Sequence, residues 1–458
     1  MPELAEYLDQ SQERFEDDLI ELLRIPSVST DSRHKADVLR AAEWVAGQFR
    51  GMGLEVRIVP TKGHPLVYAE SPPVPGKPVA LVYGHYDVQP PEPLEKWISP
   101  PFEPARREGK IFARGATDDK GQMLTHVKAA QALLESEGRL AVQLKLRIEG
   151  EEEIGSADLE TLVAENLELL ACDVVVVSDT CQFAPGQPAI TYGLRGIHYF
   201  ELRLRGPNRD LHSGMFGGAV ANPANVLARL LADLHDDRGR VQLPGFYDDV
   251  IPLTPAEREQ LAALPFDERR FREGLEVEAL AGEAGFTTLE RRWARPTCDV
   301  NGLWSGYQGE GAKTVLPAEA GAKFSFRLVP NQQPARIAAA LRRFLEERIP
   351  AGITYELIDY HGAPGMLVPL DSPYLAAASR AIEQGFGKAP VMIREGGSIP
   401  IVATLHERLG AHALLLGWGQ DDDNPHSPNE KFSLADFHNG IRASACLWQE
   451  LSRLKPNR

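Results

Sequence analysis

Short apolar runs separated by helical patterns most restrict what this chain can fold into. Residues 79–83 and 174–177 are continuously apolar, which is typical of strands buried on both faces of a sheet. Residues 142–148 alternate apolar and polar side chains as a strand does, and residues 120–136 place apolar side chains along one helix face. Strands that alternate with helices predict an α/β fold, with a largely parallel or mixed sheet flanked by helices.

The pattern changes after residue 195 and changes back near residue 370. Residues 200–204 and 324–328 alternate in the way of antiparallel strands with one face in solvent, and residues 334–347 form a predicted amphipathic helix. We therefore expect a smaller α+β domain inserted into the α/β domain. The predicted boundaries are residues 1–195 and 366–458 for the α/β domain and residues 196–365 for the insertion. No function is predicted for residues 240–300.

Composition and charge exclude two classes of partner. The 458 residues are 43% apolar and 25% charged, with a formal net charge of −16. This charge argues against a nucleic acid or an anionic membrane surface as partner. No apolar run approaches the roughly 20 residues of a membrane helix. The N-terminus lacks the basic and apolar regions of a signal peptide, and the four cysteines show no CxxC spacing. We therefore expect a cytoplasmic protein.

Five short polar motifs lie where predicted strands end or in loops. They are Gly84-His85-Tyr86-Asp87, Asp118-Asp119-Lys120-Gly121, Glu151-Glu152-Glu153, Ser178-Asp179 and His426-Ser427-Pro428-Asn429-Glu430. Ligands of open α/β sheets bind at the carboxyl ends of the strands. Carboxylates together with imidazoles suit zinc, manganese or cobalt. The set therefore predicts a hydrolase that activates water between two divalent cations.

Individual roles follow from spacing only in part. Two cations about 3.5–4 Å apart need a shared ligand, which a carboxylate such as Asp118 can supply. Asp87 lies two residues after His85 and is spaced to accept the second ring N–H of that histidine. Three consecutive acids such as residues 151–153 more often form a solvated surface. After a strand and before a turn, one of them can bind metal while a neighbour serves as general base. His426 alone reads equally well as an ordinary loop histidine.

Together the motifs resemble the co-catalytic metallopeptidases, which include carnosinase-like dipeptidases, aminoacylases and glutamate carboxypeptidases. The most specific segment is Arg114-Gly115-Ala116-Thr117-Asp118-Asp119-Lys120-Gly121, supported by residues 148–156 and 190–196. The resemblance implies two divalent ions per subunit, Zn²⁺ or Mn²⁺. It implies His85, Asp118 and Asp179 as ligands of one ion, and Asp118, Glu153 and His426 as ligands of the other. It also implies Glu152 as the general base and a cis peptide bond before Asp119.

The same resemblance implies that the inserted domain is a lid and dimerisation domain. The segment Asp210-Leu211-His212-Ser213-Gly214-Met215-Phe216-Gly217-Gly218 resembles the dimer-domain motif of the family. In that motif the histidine, here His212, reaches the partner's site and stabilises the oxyanion, which implies a homodimer. Arg327 takes the position that binds the substrate carboxylate. Thr314 and Ser398 match positions that hold the peptide backbone and terminus.

Within the family, an aspartate at position 179 accompanies the aminopeptidase and dipeptidase branches. The resemblance therefore implies a dipeptidase. In such an enzyme Glu152 would take a proton from a water molecule that bridges the two metal ions, and the resulting hydroxide would attack the scissile carbonyl. The alternatives are an N-acyl-amino-acid deacylase of the same family and a non-catalytic member. A P-loop NTPase is disfavoured because Ala312 separates Gly311 from Lys313. A serine hydrolase is disfavoured because the chain has no GxSxG motif.

Overall fold

The computed structural model describes residues 3–156, 159–397 and 399–456. The chain divides into two units, of which the first comprises residues 1–192, 368–393 and 404–458. The second unit comprises residues 193–367 and 394–403. Residues 394–403 were placed in the α/β domain by the sequence pattern but cluster with the second unit, where the Arg394 guanidinium pairs with the Glu257 carboxylate. The catalytic and dimerisation roles of the units remain predictions.

Helices and strands alternate through most of the described residues. The α-helices are Leu4–Gln10, Gln12–Leu23, Lys35–Gly51, Lys120–Glu137, Leu159–Glu165, Leu167–Leu170, Ser213–Phe216, Pro223–Ala232, Pro255–Ala262, Glu268–Gly274, Thr288–Trp293, Pro334–Arg348, Pro373–Phe386, Pro400–Leu409 and Leu434–Leu451. Short 3₁₀ turns are Ser32–His34, Leu94–Lys96 and Glu152–Ile154. The strands are Glu55–Val59, Leu66–Glu70, Val79–His85, Ala105–Arg107, Lys110–Phe112, Gln143–Glu149, Val174–Val177, Ala189–Leu194, Gly196–Arg205, Leu211–His212, Thr297–Ser305, Val315–Leu316, Glu319–Leu328, Thr354–Ala363, Met366–Leu367, Val391–Glu395, His412–Gly417 and Lys431–Ser433. No helix among the described residues has the length and apolar character needed to cross a membrane.

The first unit is built on a mixed sheet. Its strands lie in the spatial order Glu55–Val59, Leu66–Glu70, Gln143–Glu149, Val79–His85, Val174–Val177, His412–Gly417 and Ala189–Leu194. The four strands from Gln143–Glu149 to His412–Gly417 in that order pair in parallel, and the outer strands pair antiparallel. Helix Lys120–Glu137 packs against strand Val79–His85. The predicted α/β class with a mixed sheet flanked by helices is confirmed.

Helix Lys120–Glu137 is buried along most of its length, which explains why apolar side chains occupy more than one stripe. Asp119 stands at its N-cap position and Gly138 ends it with a left-handed φ of 73°, a conformation that glycine adopts without steric cost. Its start therefore delivers residues 118 and 119 directly to the edge of the sheet. The predicted helix at 120–136 agrees with these bounds to within one residue.

The second unit is built on a four-stranded antiparallel sheet. Its strands lie in the order Thr297–Ser305, Glu319–Leu328, Gly196–Arg205 and Thr354–Ala363. Phe200, Phe324 and Phe326 form the centre of a core that helices Pro223–Ala232 and Pro334–Arg348 cover. The predicted α+β composition of this part is confirmed. The stretch without a clear sequence period, residues 240–300, contains helices Pro255–Ala262, Glu268–Gly274 and Thr288–Trp293.

Candidate metal centre

The parallel strands bring the predicted ligands to one edge of the sheet. His85 is the last residue of strand Val79–His85, which continues two residues beyond its predicted end, and it lies opposite Glu149 of the neighbouring strand. On the other side Tyr83 lies opposite Val177, two residues before Asp179. Because carboxyl ends of adjacent parallel strands meet at the same edge, residues that follow these strands converge there.

One group of candidate ligands consists of His85, Asp118 and Asp179. Their ligand atoms all lie within 4.8 Å of one another. Nε2 of His85 lies 3.2 Å from Oδ1 of Asp118. This nitrogen is buried and has no hydrogen-bond partner among the described residues. Buried polar atoms are otherwise nearly always paired, so an imidazole nitrogen that faces two carboxylates fits a metal ligand.

A second group consists of Asp118, Glu153 and His426, again with ligand atoms within 4.8 Å. Nε2 of His426 lies 2.9 Å from Oδ2 of Asp118 and 3.3 Å from Oε2 of Glu153. Asp118 thus faces one histidine with each of its two oxygens. A carboxylate in this position fits a ligand shared by two cations. The peptide bond between Asp118 and Asp119 is cis, as the family resemblance implies.

Asp87 connects the two groups through its main chain and its side chain. The Nδ1 atom of His85 lies 3.1 Å from the backbone oxygen of Asp87 and 3.4 Å from its carboxylate Oδ1. The other carboxylate oxygen, Oδ2, accepts the backbone N–H of Glu153 at 3.1 Å. The predicted contact between carboxylate and ring is therefore the longer of the two contacts to the ring. Asp87 orients both a candidate ligand and the turn that carries Glu152 and Glu153.

Electrostatics in the absence of cations reflect the crowding of carboxylates. Burial raises the pKa of Glu152 to about 8, and the nearby carboxylates of Glu153 and Asp118 add to this shift. Burial and Asp118 also raise the pKa of Asp179 well above its ordinary range. Hydrogen bonds to Asp118 and Glu153 raise the pKa of His426 to about 10. A divalent cation held by these residues would reverse these shifts, because it would stabilise the deprotonated carboxylates and the neutral imidazole.

Comparison with known proteins identifies the family. Residues 81–450 match the sequence profile of Peptidase family M20/M25/M40. This chain belongs to that family. It is 32% identical to the Cys-Gly metallodipeptidase dug1 of Schizosaccharomyces pombe, with 100% of this chain and 99% of that protein covered. The M20 membership confirms the predicted resemblance and the predicted enzyme class, a metallopeptidase.

Solved structures of M20 proteins have the same fold over the whole chain. Human carnosine dipeptidase 1 superposes with a TM-score of 0.83 at 32% identity, covering 98% of each chain. The M20 family metallo-carboxypeptidase Sso-CP2 from Sulfolobus solfataricus superposes with a TM-score of 0.87 at 32% identity, covering 99% of this chain and 100% of that chain. These similarities extend well beyond the metal centre, so both units of this chain have counterparts in M20 enzymes.

The remaining predicted site residues that the structure describes, His212, Thr314 and Arg327, lie in the second unit. His212 is exposed, and its Nδ1 accepts the backbone N–H of Gly214 at 3.0 Å. Strand Leu211–His212 pairs with Val315–Leu316, and the backbone oxygen of Thr314 accepts the N–H of Ser213 at 3.1 Å. The second unit therefore brings His212 and Thr314 together, as two predicted members of an M20 substrate site. Ser398 lies outside the described residues.

Arg327 also lies in the second unit, on strand Glu319–Leu328. Burial lowers the pKa of Arg327, and the positive charge of Arg327 acts on the guanidinium of Arg195. Burial and the charge of Arg327 lower the pKa of Arg195 to about 10. Asp299 is the acidic group that acts on both arginines. The positive charges of Arg195 and Arg327 favour the binding of an anion in the second unit.

Sequence reasoning missed several residues that support the centre. Nε2 of Gln89 donates to Glu153 Oε2 at 2.8 Å. The buried carboxylate of Glu149 accepts from the Tyr83 hydroxyl at 2.5 Å and from the Ser156 hydroxyl at 2.8 Å, which holds the turn with Glu152 at both ends. Glu430 belongs to a motif that sequence analysis quoted, yet no role was predicted for it. Their sequence signal is weak, because the partners of Gln89 and Tyr83 lie more than 60 residues away along the chain.

Proposed function

We propose that this M20 chain is a metal-dependent dipeptidase that uses two divalent ions, Zn²⁺ or Mn²⁺, in each subunit. The observation that carries the proposal is the position of Asp118, whose two oxygens face His85 and His426 at 3.2 and 2.9 Å. This arrangement suits two cations that share a ligand. The dipeptidase specificity is supported by the full-length similarity to the Cys-Gly metallodipeptidase dug1 and to carnosine dipeptidase 1.

The proposed ligands are His85, Asp118 and Asp179 for one ion and Asp118, Glu153 and His426 for the other. Cations held by these residues would lower the pKa of a bound water molecule and polarise the scissile carbonyl. Glu152, which belongs to neither group, accepts a proton from the attacking water and donates it to the leaving amine nitrogen. Asp87 holds the His85 ring and the backbone of Glu153 during these steps. Catalysis therefore needs a deprotonated Glu152 before the substrate is attacked.

The second unit is proposed to bind the substrate. Arg327 binds the terminal carboxylate of the dipeptide, a role supported by the adjacent positive charge of Arg195. Thr314 and Ser398 hold the peptide backbone and terminus. His212 donates a hydrogen bond from Nε2 to the developing oxyanion, because its Nδ1 already accepts a backbone N–H.

We propose a homodimer in which His212 acts in the site of the partner subunit. The exposed position of His212 supports this proposal. So does strand Thr297–Ser305, which is the edge of its sheet and exposes Val300 and Leu303 by 47% and 63%. Exposed apolar side chains on an edge strand favour pairing with another chain. A cytoplasmic location stays a prediction from the sequence.

A panel of substrates tests the proposed function. The full chain is stripped with a chelator, reloaded separately with Zn²⁺ or Mn²⁺, and assayed with dipeptides, tripeptides and N-acetyl-amino acids. We expect cleavage of dipeptides that depends on added metal and is lost in Glu152→Gln. Preference for the N-acetyl compounds would instead assign the alternative, an N-acyl-amino-acid deacylase. Release of C-terminal residues from tripeptides would favour a carboxypeptidase, which the similarity to Sso-CP2 makes the second candidate.

A further inference from the structure

Glu430 is a buried carboxylate that holds the loop in front of Asp118. It is fully inaccessible to solvent. Its Oε1 accepts the backbone N–H groups of Thr117 and Asp118 at 3.0 and 3.1 Å. Its Oε2 accepts the backbone N–H of Gly115 and Nη1 of Arg114, both at 2.8 Å. Three backbone N–H groups and one guanidinium donate to this carboxylate, which fixes the main chain of residues 115–118.

A second buried carboxylate, Asp423, also connects the loop that carries His426 to the loop in front of Asp118. Its Oδ2 accepts the Thr117 hydroxyl at 3.1 Å, and its Oδ1 accepts Nζ of Lys431 at 2.8 Å. Asp423 lies three residues before His426 and Glu430 lies four residues after it. Both ends of the His426 loop are thus hydrogen-bonded to the loop that carries Asp118. We call Glu430, Asp423 and their donors in residues 114–118 the carboxylate clamp.

Among the described residues, the ion-pair partners of the His426 side chain are two candidate ligands. The side chain is 56% exposed, and its Nε2 pairs with the carboxylates of Asp118 and Glu153, which are themselves candidate ligands. Its backbone has a φ of 60°, in the left-handed region that few residues other than glycine adopt readily. The position of the ring therefore follows the position of the loop.

We propose that Glu430 is a positioning residue of the metal centre, setting the main chain of Asp118 against the loop of His426. This inference rests on the proposed two-metal function. It makes the two sites unequal: the group Asp118–Glu153–His426 takes two of its three ligands from the clamped loops, whereas the group His85–Asp118–Asp179 takes one. Loss of Glu430 therefore weakens the site that contains His426 more than the other site.

Metal titration of the full-length, chelator-stripped protein tests this proposal without any substrate. Zn²⁺ and Mn²⁺ are titrated by calorimetry into the wild type and Glu430→Gln, and the binding step that His426→Ala abolishes identifies the site. Substitution of residues that orient metal ligands typically costs about 10–100-fold in metal affinity. We expect a loss of this size at the His426 site of Glu430→Gln and a smaller loss at the other site.

The matched control is Asp422→Asn in the same loop. Asp422 also accepts a hydrogen bond from the Lys431 amine, at 2.8 Å. Its side chain is 68% exposed, and it is not a member of the carboxylate clamp. Both affinities should stay at wild-type values in this control. An equal loss in Asp422→Asn would overturn the proposal, because the effect would then come from loop charge. Wild-type affinities in folded Glu430→Gln would overturn it as well.

A milder variant keeps the proposal testable should Glu430→Gln fail to fold. Thr117→Val preserves the side-chain shape and removes only the hydroxyl that donates to Asp423. We expect about a 10-fold loss of affinity at the His426 site, and unchanged affinity would contradict the clamp. These outcomes are independent of the proposed reaction. A metal-loaded wild type that cleaves no dipeptide would refute the dipeptidase and leave the affinities unchanged.

Discussion

At the scale of single residues, the proposed general base Glu152 is distinct from the proposed metal ligands. It adjoins the candidate ligand Glu153 but belongs to neither ligand group. We predict that Glu152→Gln retains its metal content while kcat falls by about 10²–10⁴-fold, the usual contribution of a general base. Metal content is measured by elemental analysis and kcat with the best dipeptide.

Glu151→Gln is the matched control for this prediction. The Glu151 carboxylate packs against Gly63, so closely that a Cβ at residue 63 would lie 1.7 Å from its Oε1. Glu151 belongs to neither ligand group. Its neutral variant should keep wild-type kcat. Normal turnover by Glu152→Gln, or equal losses in both variants, would refute Glu152 as the base.

The raised pKa of Glu152 predicts the pH dependence of the metal-free protein. Its folded pKa of about 8 lies above the ordinary value of 4.5. The folded state thus holds a proton that the unfolded state releases, so this stabilising contribution is present below pH 4.5 and is lost as pH rises through 8. The stability of Glu152→Gln relative to the wild type should therefore increase as the pH rises from 5 to 8. Urea denaturation in chelator measures the difference, and a gain toward low pH would contradict the assignment.

Metal affinity is expected to have the opposite pH dependence, because a cation binds the deprotonated form of its ligands. His426 has a pKa of about 10 in the metal-free state and must lose its proton to bind a cation. Metal affinity should therefore rise with pH between 6 and 9, with net release of protons. Calorimetry in buffers of different ionisation enthalpy counts those protons, and an affinity that is independent of pH would refute His426 as a ligand.

At the scale of elements, the start of helix Lys120–Glu137 is packed too closely to accept a side chain at residue 121. A Cβ on Gly121 would lie 2.0 Å from the backbone oxygen of Ala116 and 2.7 Å from the Phe432 ring. Gly121→Ala should therefore lower the free energy of unfolding by about 1–3 kcal/mol. It should also weaken metal binding, because the clash displaces the segment 116–121, which contains the candidate ligand Asp118.

Gly47→Ala in helix Lys35–Gly51 is the control for this substitution. A Cβ at Gly47 meets nothing within 4 Å, so alanine should raise the free energy of unfolding by about 0.5–1 kcal/mol through its better helix propensity. Both values are measured by urea denaturation in chelator. Similar effects of the two alanines would show that the close packing at Gly121 has no energetic weight.

At the scale of the whole molecule, the proposed homodimer makes a prediction about mixed subunits. Glu152→Gln and His212→Ala should each be inactive alone. If His212 acts in the partner's site, a dimer with one subunit of each kind has one site with both residues intact, and about half of wild-type activity should return. Differently tagged subunits are co-expressed, the mixed dimer is purified, and its kcat is measured. A mixed dimer as inactive as its parents would place His212 in the site of its own subunit.

The sequence by itself determined the fold class, the family and the residue types of the candidate metal centre. These depend on local information: apolar runs such as residues 174–177 specify buried strands, and motifs at strand ends such as His85 lie where an α/β sheet binds ligands. The predicted end of strand Val79–His85 was two residues too early, because Gly84 and His85 give no apolar signal; they pair with Ile148 and Glu149 of the neighbouring strand.

Only the tertiary structure decided how those residues are held. Glu430 and the backbone of residues 115–118 are more than 300 positions apart in the chain yet bonded to one another. Residues 394–403 follow the α/β pattern but cluster with the second unit. Periodicity records the environment of a residue and its near neighbours, whereas such contacts exist only once distant segments pack together. For this reason the sequence predicts the residue types of the candidate ligands but not the contacts of Glu430 and Asp423 with the loop that carries Asp118.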